Sequence, residues 1–185
     1  SLAVLFKISY KPSPNKETLN KICCMIPVYN ESSKNIEDTV ESILVEYRRC
    51  IPSESSKIVI IIDDYNIKVR DSLIKTYLSE YETKIIRRNS LNLRKYPDEK
   101  VYCYSGKYLF GIYETEIMII IKDKNRSKRD SQLIFLRMLS NMKEKYDNIM
   151  FIDSDTILVK NTIKNALVKL NQDKNHSAGH LLFQH

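Results

Sequence analysis

The sequence predicts an α/β domain, a mostly parallel sheet with helices on both faces. Three observations carry that expectation. Four strand-length segments, residues 21–28, 57–62, 116–121 and 149–152, are apolar on both faces, as strands covered on either side by helices should be. Between them lie stretches whose apolar residues recur at helical spacing, which gives the alternating order of a parallel sheet. Three of the strands run straight into a polar cluster, namely Tyr29-Asn30-Glu31, Asp63-Asp64 and Asp153-Ser154-Asp155.

The elements follow in order. Residues 1–20, with Pro12, Pro14, Asn15 and Lys16, read as a linker or edge segment, and residues 21–185 as a partial domain. After the first strand, Tyr29 to Ser33 is turn chemistry. From Asn35 a helix is predicted by Ile36, Val40, Ile43, Leu44 and Tyr47, with Glu37 and Asp38 in its first turn and Arg48 and Arg49 in its last, as the macrodipole favours. The strand 57–62 leads to Asp63-Asp64 and then to a second helix marked by Leu73, Ile74, Tyr77, Leu78 and Tyr81. Around Val101 to Tyr104 and Tyr108 to Phe110, short strands are expected at the side of the sheet. The strand 116–121 precedes a basic loop from Lys122 to Lys128. A third helix is placed by Leu133, Leu136, Met138, Leu139, Met142 and Tyr146. Residues 149–152 form the strand before the acidic pair, residues 161–170 a short helix on Ile163, Leu167 and Leu170, and residues 177–183 an extended end.

Composition bounds the function classes. With 185 residues the chain suits one domain that buries about two thirds of the surface it exposes unfolded. The net charge of +7 favours acidic partners, whether a phosphate ligand, nucleic acid or anionic lipid. Nucleic acid is not expected, because no recognised binding motif or glycine-interleaved aromatic signature is present. The apolar runs are far short of the roughly 20 residues that cross a bilayer, so the piece is expected to be soluble alone. Cys23, Cys24, Cys50 and Cys103 lack zinc spacing and read as small core residues in a reducing, cytosolic setting. His176, His180 and His185 have no cysteine beside them and are not read as a zinc site. A start at Ser1 and an uncapped apolar end suggest a piece of a longer protein.

The chemistry is expected at the strand ends. In a doubly wound sheet these point one way, so the three polar clusters converge on a single crevice. Asp153 and Asp155 would repel there unless a divalent cation or a sugar hydroxyl joined them, and a nucleotide diphosphate with Mg²⁺ or Mn²⁺ suits both needs. Lys128 and Arg129 stand where a loop becomes a helix, a terminus that attracts phosphate through its free N–H groups.

These motifs resemble those of family 2 glycosyltransferases of the GT-A fold, a Rossmann-like nucleotide-diphospho-sugar transferase arrangement. The run Lys124-Asn-Arg-Ser-Lys-Arg-Asp-Ser-Gln132 is similar to one in fungal-type chitin synthases. The resemblance spans residues 21–160. It implies that the turn from Pro27 through Tyr29 to Glu31 lies beside uridine and that Asp64 or Asp63 contacts the uracil. It further implies that Lys128 approaches the diphosphate, that Asp153 touches the ribose, and that Asp153 and Asp155 bind Mg²⁺ or Mn²⁺. The implied reaction is transfer of N-acetylglucosamine from UDP-GlcNAc to a growing β-1,4 polysaccharide, at the cytosolic face of the plasma membrane through parts of the parent protein not present here.

Two departures matter. Tyr65 stands where family members often have glycine, and the chain has no tryptophan and ends before the Glu-Asp and Gln-x-x-Arg-Trp motifs. The general base is therefore expected beyond His185, and the isolated piece is expected to bind donor without turning it over. Other readings from the same residues are a hyaluronan- or cellulose-type synthase, a non-catalytic nucleotide-sugar-binding module, and a basic RNA-binding α/β module.

Overall fold

The computed structural model describes residues 3–7, 21–62, 67–142, 145–172 and 178–181. Among these residues, eight strands form one sheet in the order β4-β5-β6-β3-β2-β7-β1-β8. The strands are β1 (Ala3–Lys7), β2 (Ile22–Val28), β3 (Ser56–Ile62), β4 (Glu82–Arg87), β5 (Lys100–Phe110), β6 (Tyr113–Lys122), β7 (Asn148–Ile152) and β8 (Ala178–Leu181). Four helices accompany them, α1 (Ser33–Cys50), α2 (Ile67–Tyr77), α3 (Lys128–Asn141) and α4 (Thr162–Gln172).

The chain is α/β as expected, but the sheet is mixed rather than mostly parallel. Only its centre, β6-β3-β2-β7, is parallel, while β4, β5, β1 and β8 pair antiparallel on the two flanks. The cause on one flank is a tight hairpin. Gly111, at φ +64°, turns β5 directly into β6, so no helix intervenes to make that pair parallel. The expected short side strands are thus one eleven-residue strand within the main sheet. On the other flank, residues 3–7, expected as linker or edge, pair with both β7 and β8. Residues 8–20 lie outside the described residues.

The central strands read as continuous apolar runs because both of their faces are covered. Ile22, Cys24, Ile26, Ile58, Ile60, Ile117 and Ile119 face a layer made by α1, α2 and α4. Cys23, Met25, Val59, Ile61 and Ile120 face α3 and the segment around Leu91 and Leu93. The four cysteines are free, and burial, with Cys23 alongside, pushes the Cys24 thiol well up, so it serves as packing.

Three helices differ in detail from the pattern reading. Helix α1 begins at Ser33, capped by Ser32, whose Oγ accepts from the Asn35 N–H at 3.2 Å, so Glu37 and Asp38 fall in the second turn. In α3 the buried face is Ser131, Ile134, Phe135, Met138 and Leu139, whereas Leu133 and Leu136 are exposed at 42 % and 45 %. Helix α2 stops at Tyr77, before Leu78 and Tyr81. Among the described residues no helix is long and apolar enough to cross a membrane.

Candidate functional site

The strand order fixes where a crevice must open. From β2 the chain moves outward to β3 and on to the edge strand β4, comes back through β5 to β6, and then passes β3 and β2 to place β7 on the other side of β2. That reversal is a topological switch point, and in open α/β sheets ligands bind there, beyond the carboxyl ends of the strands. The ladder agrees. Pairing of β2 with β7 ends at Met25 and Phe151, although β2 runs on to Val28. Pro27, which has no N–H to give, sits in this half-paired part of β2.

A cleft of about 220 Å³ occupies the opening, lined by Pro27, Val28, Tyr29, Glu31, Lys128, Asp153, Ser154 and Asp155. The structure therefore brings together, from three separated stretches of sequence, all but three of the residues expected to bind a donor or metal. Arg129 is exposed on the first turn of α3 and does not line the cleft. Asp63 and Asp64 lie outside the described residues, although β3 ends at Ile62 beside Val28, one residue short of them.

Each lining residue has a local cause. Asn30 takes a left-handed conformation at φ 53°, tolerable for asparagine, and turns the chain from β2 toward α1. Tyr29 is left 59 % exposed at the mouth, and Glu31 accepts a hydrogen bond from Asn35 Nδ2 at 3.0 Å. The Lys128 ammonium makes an ion pair with Asp153, with the lysine half exposed and the aspartate less so. Asp155 is exposed, while Ser154 between the two carboxylates is buried.

The acidic turn is held from α1. Thr39 Oγ1 donates to the Ser154 carbonyl at 2.8 Å, and Ser42 Oγ accepts from the Leu158 N–H at 3.0 Å. Glu46, only 1 % exposed, accepts from the N–H groups of Asn161 and Ile163 at 3.0 and 3.2 Å, which caps the start of α4. These supports were not anticipated from the sequence. Their signal was available, since Thr39 and Glu46 interrupt the apolar stripe of α1 at helical spacing.

The basic side is held by charge. Arg88, in the short helix Arg88–Leu91 after β4, grips Asp130 through two hydrogen bonds of 2.9 and 2.6 Å. Lys122, the last residue of β6, adds a third contact to Asp130 at 3.1 Å. Burial pushes the Asp130 carboxyl up, but the Arg88 hydrogen bonds and the Lys122 charge outweigh it and hold the group below the ordinary carboxylate value. Asp130 thus ties three segments together.

Among the described residues no three His, Cys, Asp or Glu side chains converge on a metal position. The donor set at the cleft is Asp153 and Asp155. That is what Mg²⁺ takes when phosphate oxygens and waters complete its shell, so the residues fit a metal that arrives with a phosphorylated ligand rather than a dedicated cage.

A wider groove, about 690 Å³, lies at the other end of the sheet and includes Glu54, Glu80, Glu82, Glu114 and Glu116 with Lys107. Size favours it, yet topology and charge favour the smaller cleft. The groove lies by the amino ends of β3 and β6, and its carboxylates repel phosphate. No family model matches the sequence, and no curated protein matches it either.

Proposed function

We propose that the chain is the donor-binding part of a chitin synthase-like family 2 glycosyltransferase, holding the uridine diphosphate of UDP-GlcNAc in the cleft at the β2–β7 switch point. The observation that carries this reading is the meeting of Lys128 with Asp153 in one cleft that also holds Tyr29, Glu31 and Asp155. A cation beside a carboxylate pair suits a diphosphate that brings its own metal, because each charge then has an opposite partner.

In this reading Tyr29 offers an aromatic face to the uracil, Lys128 donates to diphosphate oxygens, and Asp153 accepts from ribose hydroxyls. Asp155, with Asp153, would hold Mg²⁺ or Mn²⁺. The ion would supply positive charge that stabilises the departing diphosphate. At about 220 Å³ the cleft is smaller than the ~300–1,000 Å³ of pockets that enclose a drug-sized ligand, so it grips the diphosphate and leaves the sugar to a further surface. In this reading the cleft residues are assigned to the donor and its metal, and none to deprotonation of the acceptor hydroxyl.

Calorimetry with uridine diphosphate and Mn²⁺ tests this. Binding should be metal-dependent and lost in Asp155→Ala. Metal-independent binding that survives the substitution would favour a plain phosphate-binding module, and salt-sensitive RNA binding indifferent to it would favour a nucleic-acid module.

A further inference from the structure

We propose that Asp130 is a positioning residue: held between Arg88 and Lys122, it fixes the first turn of α3 so that the Lys128 ammonium already stands at Asp153 before any ligand arrives. Its consequence for binding rests on the reading of the cleft as a diphosphate site, whereas the geometry stands by itself.

Arg88 and Lys122 are 3 % and 2 % exposed, and Asp130 only 13 %. Burying three charged groups is costly, and an apolar cluster of similar volume would often serve stability as well or better. What the ions add is a fixed geometry. Arg88 comes from the segment after β4 and Lys122 from the end of β6, so Asp130 locks the start of α3 to two other parts of the fold. Residues two apart on a helix point about 200° away from each other. With Asp130 turned inward, Lys128 is turned outward, toward Asp153.

The residue just before Lys128 records the constraint. Ser127 sits at φ 88°, ψ 161°, a conformation that is essentially glycine's. Its side chain makes no cap hydrogen bond, so the strain is not explained by capping. Its carbonyl instead accepts from the N–H groups of Asp130 and Ser131 at 3.2 and 3.3 Å and from Lys122 Nζ at 3.4 Å. On the other side, Arg126 pairs with Glu99 and stacks over the Tyr96 ring, 3.6 Å from its centroid. Both flanks of Ser127 are therefore tied, and the surroundings over-determine a backbone that serine alone would leave.

Two variants test the role. Asp130→Asn removes the charge at constant shape. Lys122→Met leaves the Arg88–Asp130 pair neutral overall and guards against an Asp130→Asn protein that fails to fold. The first readout is acylation of lysines by a small amine-reactive reagent, followed by peptide mass, with exposed Lys164 on α4 as the internal standard. Labelling of Lys128 relative to Lys164 should rise several-fold in either folded variant. An unchanged ratio would overturn the proposal whatever the protein binds. The second readout compares uridine diphosphate with uridine. Asp130→Asn should weaken the diphosphate about tenfold, the low end of what a charge-assisted hydrogen bond contributes, and leave uridine unaffected. Equal weakening of both would reduce Asp130 to a structural residue. A wild-type protein that binds neither would refute the functional reading alone and leave the labelling result to decide the positioning role.

Discussion

The two walls of the cleft are held in place by different physics. The acidic wall, Asp153 to Asp155, and the chain after it hang from one helix, α1: Thr39 donates to the Ser154 carbonyl, while Ser42 and Glu46 accept from the N–H groups of Leu158, Asn161 and Ile163. The basic wall, Lys128, stands on a knot of buried ions whose members come from three separate segments. Both are non-local: the bonds that hold the first join residues 115 to 117 positions apart, those of the second residues 8 and 42 apart. The first is made by neutral groups and one carboxylate along a single helix face, whereas charge desolvation makes the second sensitive to the loss of any one member. The comparison teaches that the Lys128–Asp153 ion pair at the strand ends is supported from each side separately, by hydrogen bonds from α1 behind the aspartate and by buried charge behind the lysine.

The largest expected effect lies in the basic wall. Asp130→Asn removes the carboxylate that Arg88 and Lys122 share and should cost about 3–5 kcal/mol, measured by urea unfolding at neutral pH. The pH dependence follows from the sign of the shift. Because the folded carboxyl titrates below its ordinary value of 3.8, the unfolded chain takes up the proton first as pH falls. The stabilisation is thus full above the unfolded value and lost as pH drops through the folded one. Asp130→Asn should flatten the stability profile in that acid window. A profile parallel to that of the wild type would show that Asp130 does not carry this charge.

The acidic wall should be somewhat less sensitive. Glu46→Ala uncaps the N–H groups of Asn161 and Ile163 at the start of α4, the second of them buried, and should cost about 2 kcal/mol, with hydrogen exchange at Asn161 and Ile163 speeding up more than elsewhere. If exchange speeds up equally across the domain, Glu46 is not a local brace of the acidic turn. Smallest and opposite in sign is Ser127→Gly. It relieves a conformation costing roughly 1–3 kcal/mol, but the glycine loses about 0.5–1 kcal/mol more backbone entropy on folding, so a net gain near 1 kcal/mol is expected in thermal unfolding. A loss would mean that the strain at Ser127 is not real.

The same contrast explains what the sequence disclosed. The central strands were legible because residues such as Ile58 to Ile62 are apolar on both faces, and α1 because its stripe has one clear phase. Helix α3 was misphased because Leu133-Ile134-Phe135-Leu136 is a continuous apolar run that fits two phases, and only tertiary packing selects Ile134 and Phe135. Side strands around Val101 and Tyr108 and an edge or linker role for the first residues were expected, but the antiparallel pairing of the flanks and the place of β1 between β7 and β8 were not legible, because strand pairing is non-local. Nothing near Ala3 indicates that it will lie against Ile152. At the site, strand-end residues such as Asp153 announced themselves by position. Arg88 did not, because its partner lies 42 residues away and no local pattern joins them.

The most direct test is to follow backbone amide shifts as uridine diphosphate and Mg²⁺ are added to the whole chain. Shifts concentrated at Tyr29, Glu31, Lys128 and Ser154, with little change at Glu80, Gly106 and Glu116, are expected if the switch-point cleft is the binding site. Shifts centred on the acidic groove, or none at ligand saturating for related sites, would contradict it.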